Sequence, residues 1–198
     1  MDMAQVAQVA LALAAGIGLS ASCGFRVSLP PLIVSIASMA GFVDPGEDFA
    51  WLGTWQAAMA FGVAALVEIA AYYIPALDNF LDTISVPLST IAGLGITAAL
   101  LGPDVSPALR WILATIAGGG TALATSTATA GIRAASTATT AGLGNGIFST
   151  LEAGTSTILS IVAIALPILG VIIVILLFVL IRKLIRKLRN RKKAPAQA

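Results

Sequence analysis

Residues 153–198 read AGTSTILSIVAIALPILGVIIVILLFVLIRKLIRKLRNRKKAPAQA, and this stretch decides the class of the chain. From 153 to 181 it is uncharged and mostly apolar, and at roughly thirty residues it exceeds the roughly 20 that a membrane-crossing helix needs. Such a run is expected to tilt or to extend past the bilayer. Eight of the chain's eleven Lys and Arg residues follow it, and residues 182–198 carry no acid. Ile181, Leu184, Ile185 and Leu188 recur at helical spacing between Arg182, Lys183, Arg186 and Lys187. The tail is therefore expected to lie on anionic inner-leaflet lipids. On this reading the chain divides into a polytopic transmembrane domain, 1–181, and a basic cytoplasmic tail, 182–198. A nucleic-acid partner is not expected.

Composition extends the same reading upstream. Hydrophobic residues make up 58% of the chain and charged residues 10%, against roughly 25% charged in soluble domains. Mean hydropathy is +0.98. The start, Met1-Asp2-Met3, lacks the basic region of a secretion signal. Cys23 is the single cysteine, and histidine is absent. An intrachain disulfide, a cysteine zinc site, His-ligated metals and His-dependent nucleophile systems are thereby excluded. An enzyme is not expected, and no cofactor is implied.

Six apolar runs can be read, at about 3–22, 28–43, 54–74, 83–101, 108 onward and 153–181. In the first, Ala10, Ala14, Gly18 and Ser22 form a small-residue stripe for close helix packing. The second is short and begins Pro30-Pro31; a full span is favoured over a re-entrant half-helix. Trp51, Trp55 and Arg110-Trp111 suit the membrane interface. From 117 to 146 the chain is nearly all Gly, Ala, Ser and Thr, too weakly apolar to face lipid along its length. It should pack on protein or line a wet cavity. Six spans with a cytoplasmic tail place both termini inside. The Arg26 break, the 75–82 link and the 131–152 stretch then share the outer side. The fold class is thus all-α: a polytopic integral membrane helical bundle of about six transmembrane helices with broken or re-entrant segments.

Arg26 and Arg133 sit inside small-residue stretches and mark candidate sites, because arginine within a membrane segment is costly. Each could capture an anionic carboxylate or phosphate, or pair with Glu68 or Glu152. Glu68 is a candidate proton carrier, with salt-bridging to Arg26 as the competing reading. Asp78 reads as an N-cap of the fourth helix, with Asp82 one turn further on the same face. Near Thr83 and Ser85, the two could bind a hard cation. Residues 21–28 and 128–136 look alike around Gly-X-Arg, and a weak internal repeat is one reading of that likeness; chance is the other.

The chain also resembles a bacterial membrane-protein family catalogued as domain of unknown function 4126. The resemblance rests on Gly24-Phe25-Arg26, Leu29-Pro30-Pro31-Leu32 and Trp51-Leu52-Gly53. It continues through Glu68 to Asp78, Leu81-Asp82-Thr83-Ile84 and Pro87, then Ala92-Gly93, Gly131-Ile132-Arg133-Ala134, Asn145 and Leu151-Glu152. The Glu, Ile-Pro, Asp and Leu-Asp pattern is its most specific part. Members often carry Asp-Lys where this chain has Tyr72-Tyr73, so a charge pair there is lost. The resemblance implies fold and site positions, with Asn145 added to the site, and no activity.

Together these readings predict a small secondary transporter or lipid-handling protein in the bacterial inner (plasma) membrane. It would bind an anionic solute or headgroup at Arg26 and Arg133, with Glu68, Glu152, Asp78, Asp82 and Asn145 in the site. The alternative is a non-transporting scaffold or accessory subunit whose buried charges lock its helices. A homo-oligomer is expected through the small-residue faces.

Overall fold

The computed structural model describes residues 2–71, 74–103, 105–140 and 145–192. Every regular element among them is helical. Helix α1, Met3–Cys23, starts at a reciprocal cap in which Asp2 accepts from the Gln5 amide at 2.7 Å and donates its own amide to the Gln5 side chain at 3.0 Å. Its C-terminal half is the axis of the bundle: Ala15, Gly16 and Gly18–Cys23 are buried. The small-residue stripe is used in this half. A side chain at Gly18 would lie 2.6 Å from the Ala163 methyl, so the helices approach as closely as backbone allows.

Helix α2, Leu29–Met39, follows an elbow at Gly24–Ser28. It has 11 residues. At 1.5 Å per residue it covers about 16 Å, half of a hydrocarbon core. The 28–43 run is therefore not a complete helical span, and a turn with Gly41 at φ 79° ends it. A 3-10 segment, Glu47–Gly53, then meets α3, Trp55–Ala71, at 63°. Helix α4, Pro75–Leu101, starts with Ile74 as its N-cap and Pro75 in its first turn. The expected 75–82 link is thus helical, and Asp78 lies inside the helix and not at its cap. Proline fits there because the first amides of a helix have no partner anyway.

Helix α5, Pro107–Leu113, passes through a π-helical stretch, Ala114–Gly119, into α6, Gly120–Thr140. Gly118-Gly119-Gly120 offers the least side-chain resistance to such widened winding. There the rod presses on α4, where a side chain at Gly118 would sit 2.7 Å from the Gly93 carbonyl. The Gly/Ala/Ser/Thr-rich sequence resolves into a one-faced helix. Ala122, Thr125, Ser126, Thr129, Arg133 and Ser136 are buried at helical spacing, while the opposite side is exposed.

The largest departure from the sequence reading lies in the stretch quoted at the outset. Residues 153–181 are not one long span. Helix α7, Asn145–Ala165, and helix α8, Pro167–Lys192, break at Leu166, where Pro167 has no amide to continue the ladder. The two helices fold back on each other. Gly170 abuts Ala163, and Leu159 packs in one cluster with Val174. These pairings converge on residues 166–167, as an antiparallel hairpin requires. Helix α8 consequently runs parallel to α1, with Phe25, Leu177 and Phe178 packed together and Ile181 beside them. It continues without interruption into the basic residues.

This reversal changes which ends meet. At one end, Arg110 pairs with Asp48 at 2.5 Å, Phe49 faces Trp111 at 6.4 Å, and Trp51 faces Phe61 at 6.2 Å. Gln8 and Val9 of α1 line a 220 Å³ cavity there with Asp44, Leu101 and Pro103. The opposite end holds Arg26, and α8 rises toward that end. The chain's two ends therefore leave the bundle on opposite sides, contrary to the six-span expectation, which counted 153–181 as one leg. Among the described residues, three helical stretches are long and apolar enough to cross a membrane: Met3–Cys23, Thr83–Leu101 and Gly146–Ala165. The bent pair Glu47–Gly53 and Trp55–Ala71 could make a fourth.

The Arg110–Asp48 pair fixes the tryptophan end in register more than it stabilises it, because the Asp48 side chain is 66% exposed. Arg110→Ala is expected to cost less than about 1 kcal/mol in thermal unfolding in detergent. A larger loss would show the pair to be shielded from water.

Candidate functional site

Four elements meet at the arginine end. The last turn of α1 closes with the Phe25 and Arg26 amides donating to the Ser22 carbonyl at 3.0 and 3.1 Å. This elbow sends the Arg26 side chain into the bundle, where it is fully buried. Its Nη2 donates to the Ser149 carbonyl of α7 at 2.8 Å and to the Ser149 hydroxyl. Nη1 lies 3.9 Å from Glu68 Oε1 on α3, and Nη2 lies 3.8 Å from Glu152 Oε2 on α7.

Glu68 has a second task. Its two oxygens accept from the Val27 and Ser28 amides at 3.1 and 3.0 Å. These amides open helix α2, whose Pro30 and Pro31 remove two of the donors that a helix start leaves orphaned. Ser28 makes no side-chain cap, so the carboxylate of another helix does the capping. The positive end of α2 favours that charge.

Arg133, on the buried face of α6, grips Glu152 from the side. Its Nε lies 3.0 Å from each Glu152 oxygen, and Nη2 donates to Oε2. Glu152 is one turn from Ser149 on α7, so one helix face serves both arginines. The result is an alternating chain of charges, Glu68–Arg26–Glu152–Arg133, with no net charge. The guanidinium side chains are 0% and 3% exposed, and both carboxylate side chains 11%. The carboxylates thus form the outward rim and the cations the floor.

The structure brings together Arg26, Arg133, Glu68 and Glu152, as their sequence contexts suggested. Asp78 and Asp82 fall in the first turns of α4 and Asn145 opens α7, but their side chains lie outside the described residues. Tyr72 and Tyr73 also lie outside them. The two Gly-X-Arg segments do not repeat structurally: one is an elbow and the other a helix interior. Sequence reasoning missed Ser149. Its signal was the pattern Ser149, Glu152, Ser156, Ser160, which places all four on one face of α7.

Several of the motifs that carried the resemblance have their place in this geometry. Gly24-Phe25-Arg26 forms the elbow, Leu29-Pro30-Pro31 the capped helix start, and Glu68 and Leu151-Glu152 the two acids. The family described as Domain of unknown function (DUF4126) matches residues 13–187. The chain belongs to this family. No curated protein and no solved structure matches it. The DUF4126 match spans all four charged residues and extends along α8 into the basic segment, as far as Lys187.

Along the rod from Arg110 to Arg133 the chain rises about 35 Å at 1.5 Å per residue. That is close to the thickness of a hydrocarbon core, roughly 30 Å. The charge chain and the Arg110 end of the rod are thus about one such thickness apart.

Proposed function

We propose that this protein is a small proton-coupled carrier for an anionic solute or lipid headgroup, with Arg26 and Arg133 as the anion site. The observation that carries this reading is the position of Glu152. It lies between both guanidiniums and is more exposed than either, where an incoming carboxylate or phosphate would sit. In this state the chain's own acid fills the site. Protonation of Glu152 removes the charge that neutralises Arg133, leaving two cations against Glu68 alone. An anion entering past the rim then restores the balance. Leaving reverses the order, so proton and anion move together.

The basic tail leaves from the arginine end, and the positive-inside bias places such tails in the cytoplasm. On this reading the charge chain opens toward the cytoplasmic leaflet of a bacterial inner membrane, with the tryptophan end outside. The legs α1, α2 with its following loop, α3, α4, the α5–α6 rod, α7 and α8 alternate in direction.

Glu152→Gln mimics the protonated acid and supplies the test. By native mass spectrometry from detergent, the variant is expected to retain added inorganic phosphate or succinate about tenfold better than wild type, a gain of about 1.4 kcal/mol. Arg26→Ala/Arg133→Ala should retain neither. If Glu152→Gln binds no anion and only unfolds more easily, the carrier reading fails.

A second reading has its own observation. Glu68 spends both oxygens on the α2 amides, and the charges balance two against two. That arrangement suits a non-transporting scaffold whose buried ions fix the helix register.

A further inference from the structure

Below the charge chain, the polar face of α7 continues into the apolar bundle. Ser149, Glu152, Ser156 and Ser160 share an arc of less than a quarter turn, and all four are buried. The Ser156 hydroxyl donates to the Ser22 carbonyl of α1 at 3.0 Å. Ser160, one turn deeper, is 0% exposed, and its hydroxyl has no protein hydrogen-bond partner. This is unusual on two counts. A buried hydroxyl without a partner costs on the order of 1–3 kcal/mol. A helical serine can also relieve that cost by rotating onto the carbonyl four residues back, as Thr157 does at 2.9 Å to Ala153. Close packing alone would be served equally well by alanine, which this chain uses freely at such contacts, as at Ala163 against Gly18.

We propose that the Ser149–Ser160 face of α7 holds a file of bound water, running from the Glu152 carboxylate to the Ser160 hydroxyl. The Ser160 hydroxyl is its innermost ligand. Water enters past the two glutamates, the exposed rim of the charge chain. Buried waters make about three hydrogen bonds each, and the serine hydroxyls along this face supply donors and acceptors at every turn. Given the carrier reading above, on which this part rests, the file hydrates the inner side of Glu152, and the proton that neutralises this carboxylate enters with the water at the rim.

Thiol accessibility tests the water directly. In a Cys23→Ala background, Ser160→Cys is expected to react with silver ion, a probe close to water in size, at least tenfold faster than Leu159→Cys. Leu159 is the neighbouring residue, 2% exposed and in an apolar cluster. Equal rates, or no reaction at either thiol in protein that elutes as wild type, would overturn the proposal. Should Ser160→Cys fail to purify, Ser156→Cys gives the same comparison one turn nearer the rim. The outcome is independent of anion binding. A reactive Ser160→Cys beside a Glu152→Gln variant that binds no anion keeps the water file and discards the carrier. An unreactive thiol beside tight anion binding does the reverse.

Discussion

Arg133→Ala lowers the stability of the purified protein by about 3–5 kcal/mol, the expected cost of breaking a buried ion pair from one side. The loss follows from what remains. Glu152 keeps its charge on the buried face of α7, with Arg26 at 3.8 Å as the remaining cation and with the three close Arg133 contacts gone. Arg133→Lys should recover part of it, since an ammonium restores the charge without the fork that meets both oxygens. Glu152→Ala also destabilises, because two guanidiniums then face Glu68 alone. The double variant Arg133→Ala/Glu152→Ala is expected to cost less than the sum of the singles, with a coupling of roughly 0.5–3 kcal/mol. Equilibrium unfolding in dodecyl maltoside across the four proteins measures it. Strict additivity would mean that the two side chains act independently, and the charge chain would lose its role in either functional reading. Coupling is common to carrier and scaffold; the anion retention of Glu152→Gln separates them.

The charge chain was legible in sequence because charge is rare here. In a membrane chain with 10% charged residues, two arginines inside apolar stretches and two glutamates of similar setting are nearly forced to meet. Their partition was less legible. Glu68 divides its oxygens between an arginine and the backbone of α2, and backbone donors leave no mark in composition. The reversal at Leu166 was missed for a related reason. Hydropathy measures the length of an apolar run and not its direction, so a tight reversal inside uniformly apolar sequence is invisible to it. Pro167 was the available sign, yet proline is tolerated within membrane helices. What turned it into a hairpin was the close fit of Gly170 on Ala163 across the turn. The short α2 was misjudged for the opposite reason: the 28–43 run stays largely apolar to Val43, but its helix stops at Met39, before Gly41 turns with positive φ. The face of α7 escaped because serine at small-residue spacing reads as packing until the partners of each hydroxyl are known.

The two Gly-X-Arg segments give the sharpest contrast between look-alike sequence and different physics. Gly24→Ala is expected to destabilise by about 3 kcal/mol or more, at the upper end of overpacking costs. Backbone strain contributes nothing, since Gly24 has φ −70° and ψ −18°, which alanine adopts freely. The cost is wholly contact. The added methyl would lie 2.7 Å from the Ser126 amide nitrogen and 2.9 Å from the Ala122 carbonyl, and against the Thr125 side chain as well. Two of these three are backbone atoms of a helix, which cannot rotate away. Helix α6 must therefore retreat from the α1 elbow, and the Thr129 hydroxyl loses its 3.0 Å bond to the Gly24 carbonyl. Arg26, two residues on, is displaced from Ser149 and Glu152, so anion retention in native mass spectrometry should fall together with stability. Gly131→Ala, in the matching position before Arg133, meets nothing within 4 Å on the exposed side of α6. There the gain in helix propensity, up to about 1 kcal/mol, is unopposed, and this variant should unfold no earlier than wild type. Equal behaviour of the two variants would mean that α6 does not pack on the α1 elbow at this distance, and the shared burial of Arg26 and Arg133 would fall with that contact.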